Sequence, residues 1–282
     1  MSPSPLSQAE LAKVDQMQEN LIAYFQLFAG LPGITFVEED VTWLVSPQGA
    51  PGNHVLRAQL SSASVDRRID EVISRIGQYT GQVDWLVFPA SQPADLGKHL
   101  EARGLAGGPD GSWELVGKIG GPGGTWMLAN LKALPPAPAI PENFRIEYVD
   151  SPKMLEAWIQ ISAEGFGGGD YQNFHEAYAR HGFGPEAFSL HYIGYLASRP
   201  VTSSTLLLAG GIASIYDVST PVALRRQGFG SAITWAMMQE AKKRGYGYAW
   251  IWSSSMGKGV YSKLGFVAAD FGIREYQWHR RS

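Results

Sequence analysis

The chain has 282 residues, 23 Lys and Arg against 26 Asp and Glu, a formal charge of −3 and no cysteine. Without cysteine there are no disulfides, thiol nucleophiles, thiolate zinc sites or iron–sulfur clusters, and a weakly negative chain without a basic block argues against non-specific nucleic-acid binding. No apolar run reaches the length of a membrane span, and the start of the chain lacks a basic stretch followed by an apolar one, so a cytoplasmic protein is expected.

In chain order, Ser7 and Glu10 make a capping-box pair. Leu11, Val14, Leu21, Tyr24, Phe25 and Phe28 then lay an apolar face at helical spacing, stopped by Gly30 and Pro32. Short strands are predicted at 35–37, 41–45 and 54–60, a helix over 65–79, a buried strand at 84–88 and a short helix over 95–103. A glycine-rich loop at 117–124 precedes a strand at 125–131. Residues 134–141, LPPAPAIP, hold four prolines and read as a stiff spacer. Beyond it come a strand at 144–149, a helix capped by Ser151 with Pro152 in its first turn, and a Gly-rich break at 166–170. Asp170 can cap a helix over 171–180. Strands follow at 190–196, 202–208 and 212–218, the first two as a hairpin, then a helix over 231–244, a strand at 248–252, a helix over 259–264 and a strand at 273–278. Trp250 and Trp252 are expected on opposite sides of their strand.

The two sides of the proline segment share an order. DWLVFP (84–89) followed by LEARGL (100–105) matches YAWIWS (248–253) followed by YSKLGF (261–266). This suggests an internal duplication, with domains at 1–134 and 142–282 joined by a linker at 135–141.

The informative stretch is IASIYDVSTPVALRRQGFGSAI, residues 212–233. A strand enters a loop with Arg225 and Arg226, and the loop closes on Gly228-Phe229-Gly230 directly into a helix. Unpaired N–H groups and the positive end of the helix dipole meet there, and glycines let a ligand approach the backbone. A P-loop would need Gly-Lys-Ser/Thr, and a dinucleotide fingerprint would need Gly or Ala where Ile233 stands.

The remaining reading, R-x-x-G-x-G over Arg225, Gly228 and Gly230, resembles the acetyl-CoA pyrophosphate loop of the GNAT superfamily of N-acetyltransferases. The superfamily's second signature, a Tyr followed by Leu-Gly-Phe one strand later, is matched by Tyr261, Leu264, Gly265 and Phe266. The joint match covers 212–266, and element order extends it over 142–282. The first half resembles a degenerate copy. The resemblance implies an α/β (α+β) fold of tandem GNAT-like domains, each with a mixed, mostly antiparallel sheet flanked by helices. It also implies that the backbone of Gln227, Gly228, Phe229, Gly230 and Ser231, with Arg225 and Arg226, holds the pyrophosphate of acetyl-CoA as cosubstrate. The Val218 N–H would bind the thioester oxygen. Tyr261 would protonate the departing thiolate.

The sequence departs from the family in three ways. The loop from Val218 to Arg225 is long, Ser253–Ser255 replace a frequent Asn, and no Glu base precedes Val218. The base is left among Asp217, Tyr216, a water, Glu164 and His175, with strand alternation sending Tyr216 and Asp217 to opposite faces. His54, His99, His181, His191 and His279 lack metal-ligand spacing and read as structural or exposed, so no metal is expected. The expected reaction is direct attack of a primary amine, on a small molecule or a peptide N-terminus, in a ternary complex. A non-catalytic acyl-CoA sensor or immunity protein is the rival reading. A structural partner module is a third. The tandem halves could form a monomeric pseudo-dimer.

Overall fold

A computed structural model describes residues 7–46, 49, 51–109, 124–184 and 186–280. The glycine-rich loop expected at 117–124 lies, apart from Gly124, outside them. Local signals hold at the first helix. Ser7 and Glu10 close the capping box on α1 (Gln8–Leu11), and after a break at Lys13 the apolar face continues as α2 (Val14–Gln26). Met17, Leu21, Phe25 and Phe28 of this stretch are fully buried, and each such side chain stabilises the fold by about 1.5–3 kcal/mol.

Strands β1 (Thr35–Glu38), β2 (Val41–Val45) and β3 (His54–Ala58) form an antiparallel meander. Helix α3 (Val65–Ile76) buries Val65, Ile69, Val72 and Ile76 and crosses to β4 (Gln82–Val87), which pairs in parallel with β3. Then come α4 (Leu96–Ala102), β5 (Ala106–Pro109) and β6 (Thr125–Asn130). Beyond the proline segment lie β7 (Phe144–Tyr148), α5 (Pro152–Gly165) and α6 (Gln172–His181). Strands β8 (Ser189–Leu196), β9 (Arg199–Ala209) and β10 (Ile212–Ser219) make the second meander. Helix α7 (Phe229–Lys243) crosses to β11 (Tyr248–Ser253), parallel to β10. The described chain closes with α8 (Ser255–Lys263), β12 (Val267–Ala268) and β13 (Arg274–His279).

The duplication is visible in the sheets. The first runs β1-β2-β3-β4-β13-β5 and the second β8-β9-β10-β11-β6-β12, with β7 added at the β8 edge. Each has one parallel pair. The fifth strand of each sheet, however, comes from the other half of the sequence. β13 pairs with β4 and β5, and β6 pairs with β11 and β12, all antiparallel. The proline segment therefore divides the sequence but not the sheets. It carries the chain from β6 to β7 at the far edge of the same sheet, and passes the α7 start on the way. A β-carbon on Gly228 would lie 3.7 Å from Pro141 Cγ.

Three apolar clusters result. One lies under α3 and α4, and one between the second sheet and α7 and α8. The third is shared, with α2, α5 and α6 packed among Leu44, Leu56, Trp126 and Trp250. Trp126 stacks on both Trp250 (5.3 Å) and Trp252 (4.8 Å). The two β11 tryptophans thus share a face, contrary to the expectation, because residues two apart on a strand project the same way. No described helix is long and apolar enough to cross a membrane.

Candidate active site

The site begins with a defect in β10. The register against β9 shifts between Tyr216 and Ser219, leaving Asp217 and Val218 outside the ladder. Asp217 takes φ 55°, a left-handed conformation. On its other side β10 pairs with β11 only at Ala213↔Ala249 and Ser214↔Trp250, after which the two strands separate. The bulge is held in place by hydroxyls. Thr202 Oγ1 donates to the Ser219 carbonyl (2.6 Å), and Ser219 Oγ donates to Ile161 O (3.1 Å) at the end of α5. Gly165 lets α5 come this close, since any β-carbon there would collide with Ser219 Oγ.

The bulge corrects the expectation of opposite faces for Tyr216 and Asp217. The extra residue breaks the alternation, and both side chains turn toward α2. Tyr24 stacks flat on Tyr216, with centroids 3.9 Å apart, and its Oη donates to Asp217 Oδ1 (3.1 Å). Tyr178 of α6 donates to Oδ2 (2.7 Å). Burial pushes Asp217 up to about 6, while hydrogen bonds from Tyr178, Tyr24 and Thr205 pull it back down. Burial also raises Tyr24 and Tyr178 well above an ordinary phenol, and the Asp217 charge adds to the shift. At neutral pH the cluster is one carboxylate between two neutral phenols. Val218 faces the opposite way, against the cluster beneath α7.

The long loop after Val218 is spent on a 3-10 turn, Val222–Leu224. Arg225 is tied into the protein. Its Nε donates to Thr220 O (3.0 Å) and its Nη2 to Gly165 O (2.6 Å), so it fastens the loop to the end of α5. Arg226 and Gln227 are exposed. Gly228 caps α7 at φ 87°, with no side-chain capping bond and no acid in the first turn. The first N–H groups of the helix, through Gly230 and Ser231, are the kind that lack intrahelical partners. The Phe229 ring is buried against Phe144 (5.2 Å), so Phe229 offers a ligand only its backbone.

Tyr261 stands on α8, 8% exposed, packed edge-on to Phe266. Burial raises its hydroxyl above the ordinary phenol range, which keeps it protonated and able to donate. Gly257, one turn earlier, makes room for the ring, because a β-carbon there would lie 2.6 Å from Tyr261 Cε2. Ser254, within the Ser253–Ser255 stretch noted in the sequence, caps α8 by accepting from Gly257 N (3.3 Å).

Val218 thus lies at the bulge where β10 leaves the β9 ladder, α7 starts on Gly228, and Val218 and Tyr261 both pack in the apolar cluster beneath α7. Glu164 is exposed on α5 and His175 half-buried on α6, and neither bonds to Asp217. His191, read from the sequence as structural or exposed, is buried against Tyr178 (3.8 Å), and desolvation pushes it down to about 3. No three described His, Asp or Glu side chains gather as metal ligands. Sequence reasoning missed Tyr24 and Tyr178 as site residues. Tyr24 sits in an apolar stripe that explains it fully as core, and nothing local marks its hydroxyl.

No family model matches the sequence, and no curated protein is similar to it. Solved structures are similar over nearly the whole chain. A GCN5-related N-acetyltransferase from Kribbella flavida shares 16% identity at a TM-score of 0.62, covering 94% of this chain and 96% of its own. A tandem GNAT protein from the clavulanic acid biosynthesis pathway gives 13% and 0.59, with 98% and 96% covered. A GCN5-related N-acetyltransferase from Sphaerobacter thermophilus gives 14% and 0.56, with 98% and 93% covered. The chain has the fold of tandem GCN5-related N-acetyltransferases, with two mixed sheets flanked by helices.

Proposed function

We propose that the second half is an acetyl-CoA-dependent N-acetyltransferase acting on a primary amine by direct attack in a ternary complex, in the cytoplasm. The observation that carries this reading is the gap itself. Two parallel strands part at a bulge, the helix between them starts on Gly228 with no side-chain cap and no acid in its first turn, and a buried tyrosine follows on α8.

Each residue then has a task. The N–H groups of Gln227, Gly228, Phe229, Gly230 and Ser231 hold the pyrophosphate, with Arg226 as the exposed cation and Arg225 bracing the loop. The Val218 N–H, outside the β9 ladder, donates to the thioester oxygen and stabilises the charge that develops there. Asp217 accepts the proton of the attacking amine, since a carboxylate raised to about 6 is ionised at neutral pH and more basic than an ordinary one. Tyr261 donates its proton to the departing thiolate. The acceptor amine meets a face of aromatic rings with one carboxylate and, among the described residues, no cation acting on it. That suits a cationic acceptor without an anionic group near the amine.

Calorimetric titration with acetyl-CoA, with CoA and NAD as comparators, tests the reading. Micromolar binding of acetyl-CoA and none of NAD is expected, followed by thiol release with an amine panel. If neither acetyl-CoA nor CoA binds, the assignment fails.

A further inference from the structure

The Asp217 cluster spans both halves of the sequence. The carboxylate comes from β10, and Tyr178 from α6 of the same half. Tyr24 comes from α2, across the shared core. We propose that Tyr24 is a positioning residue for the base, so that the degenerate half completes the acceptor site of the other. This rests on the reading of Asp217 given above.

Three observations support it. Tyr24 is 6% exposed and holds Asp217 Oδ1 while Tyr178 holds Oδ2, so the two donors fix the carboxylate from both sides. The same ring stacks on Tyr216, the other residue of the bulge, so it clamps the backbone on which Asp217 and Val218 sit. α2 itself cannot slide along the sheet. Asn20, one turn earlier and fully buried, donates to Ala209 O (3.0 Å) and Ile212 O (3.1 Å) and accepts from Ser214 Oγ (2.6 Å). The titratable groups facing Asp217 are Tyr24 from α2, Tyr178 from α6, Tyr171 at the N-cap of α6, and Tyr216 from β10. Behind Tyr178, the Thr205 hydroxyl of β9 bonds to His191 (2.9 Å), which is neutral.

The test uses the full chain with Tyr24→Phe, which keeps the stack and removes the hydroxyl. Asp217 is titrated directly by carbon-13 NMR of aspartate-labelled protein without acetyl-CoA, and assigned with Asp217→Asn. Losing one donor to the ionised form should raise the Asp217 midpoint by about half a unit or more. Tyr79→Phe, an exposed tyrosine of the same half, should leave it unchanged. With an acceptor from the amine panel, the acid limb of kcat/KM should move the same way. The loss should be about 3- to 10-fold at pH 6 and near none at pH 9, with the KM for acetyl-CoA unchanged. In the Asp217→Asn background, Tyr24→Phe should cost nothing further, which separates coupling from a general loss of stability. An unmoved midpoint in Tyr24→Phe would overturn the inference while leaving acetyl-CoA binding untouched. A moved midpoint with a stationary acid limb would overturn the role in catalysis.

Discussion

The two halves build the same parallel crossover and finish it differently. In the second half β10 and β11 part and leave a gap. In the first half the corresponding space beyond β3 and β4 is taken by the chain itself. Gln92 bridges to Gln59, Leu60 N donates to Gln92 O (3.0 Å), Gln92 N donates to Ala58 O (3.0 Å), and Gln59 Nε2 reaches Ala90 O (2.8 Å). The helix start differs too. Where α7 opens on Gly228 with no acid, α3 carries Asp66 in its first turn, already bound to His99 (2.7 Å) and Arg103 (2.8 Å). Leu100, fully buried, stands where the repeat places Tyr261. One copy leaves its strands parted and its helix start without an acid, and the other fills the same space with its own chain. The first half also lends β6 to the second sheet and the Tyr24 hydroxyl to Asp217.

The strongest way to break this comparison is to cut at the proline segment. Residues 1–134 alone lack β13 and residues 142–282 alone lack β6, each an interior strand of its sheet. Neither piece should give a cooperative thermal transition by circular dichroism, and mixing them should restore one. A cooperative melt from either piece alone would show that the exchanged strands are dispensable. Tyr261→Phe sharpens the difference at the second motif. It should lower turnover by about 10²- to 10⁴-fold while the calorimetric Kd for acetyl-CoA stays within about twofold, and equal losses in both would argue for a packing role. At the helix starts, Gly228→Glu adds a carboxylate to the anion end and strains a left-handed residue. Acetyl-CoA affinity should fall by about 100-fold, whereas Asp66→Gly, which empties the equivalent turn of the first half, should not alter it.

The smallest effect concerns Asp217. Its folded value, about 6, lies above that of a carboxylate in the unfolded chain. The native state therefore keeps a proton that the unfolded state has lost between about pH 4 and 6. The stabilisation from that proton is complete below this window and gone above it. Asp217→Asn should match wild type at pH 4 and exceed it by about 2–3 kcal/mol at pH 8, read from denaturant melts. A difference constant across that range would mean that Asp217 titrates as an ordinary carboxylate.

Much of this was legible in the sequence. Capping at Ser7, Pro152 at the start of α5, the amphipathic helix begun at Val65 and the glycine turn into α7 are local signals that produced their elements, although Ser151 makes no side-chain capping bond and the helix expected over 65–79 ends at Ile76. Strand exchange left no such trace. Residues 125–131 and 273–278 read correctly as strands, yet nothing in their alternation says which partner they choose, because pairing is decided by which sheet has an unfilled edge. The site divided the same way. The turn into α7 is written in glycines and was read directly. The Asp217 environment depends on one residue at positive φ, which inverted the face assignment of its neighbour, and on a tyrosine some 190 residues away.

Strand exchange also sets the order in which the molecule can be made. β4 waits for β13, whose residues follow about 190 positions later. During synthesis the first sheet therefore emerges with its β4 edge unpaired and stays so until the second half has been translated. The first half cannot mature before the second, and an early release of the chain yields an open sheet edge with the properties of an aggregation template. Chaperone dependence in the cell should follow translation past residue 279 more closely than the stability of either sheet.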